Sequence, residues 1–192
     1  SLDRFLMGQQ LLPLLSSVEG TVYTFSKAKD TIIEVDLRYD TFTRLPLQFK
    51  DFGEILHFDC YRNQCTYTAT VFHIHKVTNI LHLEIFQASN HDKSDTYTNL
   101  FRKKTFKIDK INQNFQLLKK IEDNKYIVVT LNNIILVSST SIDIKRWTIN
   151  GFLKKKLAEL THGITLFYHK NDNIINLKIC DSYLRTVNIS CH

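Results

Sequence analysis

Apolar and polar residues alternate in short runs along most of this chain, and the runs recur. Residues 31–47 read TIIEVDLRYDTFTRLPL, residues 133–149 read NIILVSSTSIDIKRWTI, and residues 173–189 read NIINLKICDSYLRTVNI. Aligned end to end, the three carry apolar residues at the same offsets. A further copy begins at NILHLEI (79–85) and is delayed by a polar insertion, ASNHDKSDTYTN, before it resumes at TFKI (105–108). Alternation with period two predicts a strand with one buried face. The buried set is then Ile33/Val35/Leu37, Leu81/Leu83/Ile85, Ile135/Val137 and Ile175/Leu177/Ile179. The opposite, more solvated set is Glu34/Asp36, His82/Glu84, Ser138 and Asn176/Lys178. A turn and a second strand follow in each copy, marked by Leu45/Leu47, Phe106/Ile108, Trp147/Ile149 and Val187/Ile189.

Another strand precedes each copy. GTVYTFSKAKD and HGITLFYHKND stand immediately before TIIEVDL and NIINLKI, and YTATVFHIHK and KYIVVTLN fill the equivalent slots elsewhere. Further upstream, QQLLPLL, GEILHFD, FQLLKKI and FLKKKLAEL can each supply an innermost strand. The last also suits a short helix, because its residues are good helix formers. Units of about four short strands, repeated every 40 to 54 residues, are the pattern of β-propeller blades. The predicted architecture is all-β: one propeller-like domain over 1–192, with approximate blades at 9–48, 53–109, 115–150 and 152–190. An irregular all-β barrel is the alternative. The insertion at 88–100 is expected to be a surface loop open to proteolytic nicking.

The slots held by IIEVDL and IILVSS, followed by FTRL and IKRW, resemble the third and fourth strands of blades in the WD40-like β-propeller superfamily. The resemblance spans roughly 9–190, although the Gly-His and Trp-Asp dipeptides of that superfamily are missing and Trp147 falls in an outer strand. It implies a rigid disc whose loops and blade edges dock several partners. Four blades could close a ring by themselves, but a partial propeller completed by another segment or chain is expected.

Composition adds little to this picture. The chain has 192 residues, 43% of them hydrophobic, which suffices for a substantial core. No run of about 18 apolar residues predicts a membrane span. The first residues carry Asp3, Arg4 and Pro13 and do not read as a signal peptide. Four cysteines are too few for a disulfide framework, so an intracellular location, nuclear or cytoplasmic, is expected. A secreted small-ligand β-barrel would instead predict a Cys60–Cys65 disulfide across the YRNQ turn.

No nucleophile elbow, phosphate-binding glycine loop or zinc-helix motif is present, so no catalytic residue, cofactor or enzymatic activity is expected. His73 and His75, two apart on one strand, point to the same face and could chelate a metal, with Cys60 and Cys65 nearby and His57 upstream. Charge is uneven: Lys and Arg exceed Asp and Glu by 25 to 19, with the excess concentrated in FRKKTFKIDK, LLKK, IKRW and FLKKK. Lysines of this kind can solvate strand edges and deter edge-to-edge pairing. They can also form a basic sector spanning neighbouring blades, anchored by Arg102, Lys103, Lys104, Lys154, Lys155 and Lys156, with Phe152 in apolar contact. The expected role is a protein–protein interaction scaffold within a larger complex, recognising an acidic protein segment. Nucleic-acid binding through 102–156 is the alternative.

Overall fold

The computed structural model describes residues 11–64, 66–88, 97–111, 116–140 and 143–192. Fifteen strands in these residues form four antiparallel sheets. Sheet 1 is a meander of β1 (Leu11–Val18), β2 (Thr21–Ser26), β3 (Thr31–Asp36) and β4 (Thr41–Pro46). Sheet 2 follows with β5 (Phe52–Asn63), β6 (Thr66–His75), β7 (Ile80–Ala88) and β8 (Phe101–Lys110). Sheet 3 holds β9 (Gln116–Glu122), β10 (Lys125–Thr130), β11 (Asn133–Ser138) and β12 (Asp143–Thr148). Sheet 4 has β13 (Thr165–Asn171), β14 (Ile174–Cys180) and β15 (Thr186–Cys191). Each sheet pairs its strands in sequence order, as a propeller blade does, and no sheet closes into a barrel among the described residues. The barrel alternative is therefore set aside. The chain divides into two compact units, Ser1–Lys110 and Ile111–His192.

Local sequence explains the connections. Glycine is scarce, and Asp40, Asn79, Asn124 and Asp172 are among the residues that take left-handed backbone positions in the turns. Their short polar side chains tolerate positive φ better than most residues do. FLKKKLAEL supplies no innermost strand; it forms helix α1 (Gly151–Ala158). The Asn150 side chain caps it by accepting from the Leu153 N–H at 2.9 Å, and Leu157 and Leu160 enter the core of the second unit. Sheet 4 consequently has three strands.

In the first unit, one continuous core joins the facing sides of sheets 1 and 2. Tyr23, Phe25, Ile32, Leu45 and Leu47 meet Phe52, Phe58, Tyr67, Ala69, Val71 and Phe86. The matched apolar positions are buried as predicted at Leu83, Val137 and Leu177, and Lys178 is exposed. Two expectations about faces fail. Leu37 projects into solvent just past β3, and Glu34 and Glu84 are 5% and 0% exposed. The reason is stacking. Glu34 shares its face with Ile32, and Glu84 shares its face with Phe86, and that is the face on which the two sheets meet. Ile33 and Val35 are buried on the reverse side of sheet 1 with Leu11 and Phe42.

The insertion also departs from expectation. Residues 89–96 lie outside the described residues, but Tyr97 and Leu100 form parallel bridges with Arg44 of β4 and with Leu47 just after it. The N–H groups of Thr98 and Leu100 donate to the carbonyls of Arg44 and Pro46, and Leu100 is fully buried. The end of the insertion is thus part of the fold rather than a dispensable loop.

Candidate functional site

The chemistry of the first unit collects around its two buried carboxylates. Glu34, on β3, reaches across to sheet 2. Tyr23 donates its hydroxyl to Glu34 Oε2 at 2.8 Å and Tyr67 donates to Oε1 at 2.6 Å. Arg62 Nη1 stands 3.7 Å from Oε1 and its guanidinium lies over the Tyr67 ring. Both tyrosine hydroxyls have an acceptor and the carboxylate has a counter-charge, and a buried network of this kind fixes the packing of two sheets. Burial, followed by the charges of Cys60 and Glu34, pushes the Tyr23 hydroxyl far above its ordinary range. Burial and the Glu34 hydrogen bond do the same to Tyr67. Neither tyrosine ionises at physiological pH.

Glu84, on β7, has a different environment. The antiparallel register sets His73 of β6 directly opposite His82 of β7, and Glu84 lies two residues further along the same face as His82. His73 Nε2 and His82 Nδ1 both lie 3.4 Å from Glu84 Oε1. The potential ligand atoms of the three residues are all within 4.8 Å of one another. His73 Nδ1, His82 Nε2 and Glu84 Oε2 are buried without a hydrogen-bond partner. Phe49 and Phe52 wall the group, with ring centroids 5.4 and 4.7 Å from that of His73. On the open side, Arg102 of β8 stacks over Phe49 and holds Nη1 4.0 Å from Glu84 Oε2.

These surroundings set the protonation states. Burial alone would raise the Glu84 carboxyl, but hydrogen bonds from His73, Thr105 and His82, with the charge of His73, hold it below the usual glutamate range. Burial lowers His82, and the nearby His73 and His75 charges add to this against the opposing pull of Glu84. Both groups have folded pKa values below their unfolded ones, so each contributes stability at neutral pH that disappears on acidification. The His82 contribution is lost as pH falls through and below about 6.5, and that of Glu84 below about 4.5. Urea unfolding of the protein is expected to show a midpoint that declines steadily from pH 7 to pH 4. A flat midpoint over that range would contradict the assignment.

The sequence-derived metal candidates regroup. His73 is at the centre, but its partners are His82 and Glu84 rather than Cys60. Cys60 is a buried free thiol, raised by burial and by the charges of Glu34 and Asp59. Cys65 lies outside the described residues. His75 is adjacent, with its ring 4.8 Å from that of His82, yet its Nδ1 accepts from the N–H groups of Val77 and Thr78. His57 pairs with Asp59 at 3.3 Å. The missed signal was His82-Leu83-Glu84 opposite His73, visible only once strand register is known.

The basic candidates fall into two places. Arg102, Lys103 and Lys104 lie on β8 in the first unit and are exposed. Phe152, Lys154, Lys155 and Lys156 lie on α1 in the second unit, where Lys156 Nζ sits over the Phe152 ring and Lys154 donates to Asn132 Oδ1. Among the described strands β8 ends sheet 2, so its outer edge is unpaired. Across the ends of β6, β7 and β8 a cavity of about 490 Å³ is lined by Thr66, Gln87, Ala88, Asn99, Phe101 and Lys103, among others. No helix among the described residues is long and apolar enough to cross a membrane.

No family model matches the chain, and no curated protein does. Several solved structures of propeller type are similar to it. The N-terminal domain of Nup159 matches at 5% identity and a TM-score of 0.42, over 95% of this chain and 50% of that one. CoXyl43, a GH43 β-xylosidase/α-arabinofuranosidase from a compost microbial metagenome, matches at 10% identity and a TM-score of 0.40, over 95% of this chain and 76% of that one. The extracellular domain of BT4673 from B. thetaiotaomicron matches at 13% identity and a TM-score of 0.41, over 93% of this chain. The chain spans about a fifth of that protein's length and half of Nup159's matched domain. None of these matches identifies the WD40 superfamily. The expectation that the chain is not an enzyme is corrected here: one of the solved structures similar to it is a glycosidase, and a fold by itself does not decide activity either way.

Proposed function

We propose that the chain is a protein-interaction module of a larger intracellular assembly and that the outer edge of β8 is its docking surface for an acidic, extended protein segment. The observation that carries this reading is the character of β8. Residues 101–105, Phe-Arg-Lys-Lys-Thr, are all exposed on the terminal strand of sheet 2. An unpaired edge offers backbone hydrogen bonds to an incoming strand, and its side chains select that strand. Here Arg102, Lys103 and Lys104 favour carboxylates, and Phe101, 53% exposed beside the cavity, offers an apolar contact. Lysine at a bare edge also repels a second copy of the same strand, so the surface favours an acidic partner over self-association.

Fluorescence anisotropy with a labelled Glu/Asp-rich peptide, and with single-stranded RNA of similar length, tests the reading. Peptide binding is expected to weaken at least tenfold in a Lys103→Glu/Lys104→Glu variant whose melting temperature is nearly unchanged, because exposed charges contribute little to folding. Binding of RNA alone, with affinity falling steeply between about 50 and 200 mM salt, would replace this reading with a phosphate-backbone contact.

A further inference from the structure

We infer that His73, His82 and Glu84 form a binding site for a divalent transition-metal ion of the zinc type, held through His73 Nε2, His82 Nδ1 and Glu84 Oε1. This goes beyond the docking role of β8 and stands on separate observations.

The first is spacing. Zinc bonds to imidazole nitrogen and carboxylate oxygen are about 2.0–2.1 Å, so ligand atoms at tetrahedral angles sit about 3.3–3.4 Å apart. Both nitrogens here lie 3.4 Å from the same carboxylate oxygen, and all the ligand atoms lie within 4.8 Å of one another, so binding requires only that the two imidazoles turn toward each other. That distance is long for a hydrogen bond of N–H to a carboxylate, which is typically about 2.7–2.9 Å.

The second is polar accounting. With protons alone, both rings share one oxygen while His73 Nδ1, His82 Nε2 and Glu84 Oε2 stay buried without a hydrogen bond, Oε2 having only Arg102 Nη1 at 4.0 Å. Such atoms are costly in a protein interior, and they show that hydrogen bonds do not satisfy this cluster; none of the three is a proposed ligand atom, and the ion acts on the two long contacts at Oε1. A cation at the shared corner converts two long contacts into coordinate bonds and gives the buried carboxylate a full counter-charge. It does so inside a wall of Phe49 and Phe52, where exclusion of water strengthens the attraction.

The third is the rim. Arg102 faces Glu84 with a positive charge, but its side chain is 45% exposed and its ion-pair contact is a loose 4.0 Å, so it can swing off Phe49 as the metal arrives. His75 is excluded as a fourth ligand. Its Nδ1 is occupied by two backbone N–H donors, which leaves the proton on Nε2. Three protein ligands therefore leave one tetrahedral position to solvent. Two histidines and a carboxylate suit zinc and cobalt, and they are a poor match for calcium or magnesium, which prefer all-oxygen shells.

The test is titration of chelator-stripped, full-length protein with Zn²⁺, and with Co²⁺ as a spectroscopic substitute. One equivalent is expected to bind, with visible cobalt absorption and a melting temperature that rises with metal concentration. Glu84→Gln and His82→Asn should each weaken binding by more than about a hundredfold, beyond the roughly 10–100-fold cost of losing an outer-shell partner. His75→Gln should bind as the wild type does. Should the buried variants fail to fold, nitrogen-15 NMR of the wild-type imidazoles decides, since Zn²⁺ must shift His73 and His82 and leave His75 in place. Absence of stoichiometric binding, retention of affinity in Glu84→Gln, or shifts confined to other histidines would overturn the site.

Discussion

Replacing Leu177 with Ala is expected to destabilise the second unit by about 2–5 kcal/mol, the usual range for a cavity cut into a packed core. Leu177 sits at the middle of β14, the central strand of sheet 4, between Tyr168 and Ile189 in register. It is 2% exposed and belongs to the cluster that also contains Ile127, Val129, Leu157 and Leu166. Rigid strands on both sides limit how far the site can collapse, so the upper half of the range is expected. Chemical denaturation followed by Trp147 fluorescence, the signal of the only tryptophan and one that lies in the same unit, measures the change directly. A loss below about 1 kcal/mol would mean that the strand does not pack as described.

The second large effect belongs to Glu34. Glu34→Ala removes the acceptor for two buried tyrosine hydroxyls and the counter-charge of Arg62. Each hydroxyl left without an acceptor costs about 1–3 kcal/mol, so the first unit should lose several kcal/mol. Tyr67→Phe removes one hydrogen bond to a charged group and should cost about 1.5–3 kcal/mol. Glu34→Gln keeps an acceptor oxygen in place and should cost well under half of what Glu34→Ala does. Equal stability of the alanine and glutamine variants would show that the network contributes nothing.

Glu34 and Glu84 also mark where sequence reading stopped. Alternation located the strands, because each carries apolar residues every second position, and it assigned Leu83, Val137 and Leu177 to the core. It was also right about Lys178, on a strand of sheet 4 that keeps one face partly open. For β3 and β7 it failed. Their polar residues look solvated only if one face of each sheet is taken as the outside, and stacked sheets bury both. A buried Glu then needs partners, and these come from β2, β5, β6 and β8, at sequence distances no local pattern reports. The same limit hid the histidine pair. His73 and His82 face each other because of strand register, whereas His73 and His75 looked like the pair because they are close in sequence. The helix α1 was half legible: its residues favour helix, and Asn150 supplies the cap, but the repeat argued for a strand in that slot.

The central claim is that β8 is a docking edge, and hydrogen–deuterium exchange of the full chain with and without a saturating acidic peptide tests it most directly. In the free protein the outward amides of Phe101–Lys107 have no strand beside them among the described residues and should exchange quickly. With peptide bound, those amides are predicted to become protected while the rest of sheet 2 keeps its pattern. Protection confined to α1, or none anywhere despite binding, would contradict the account.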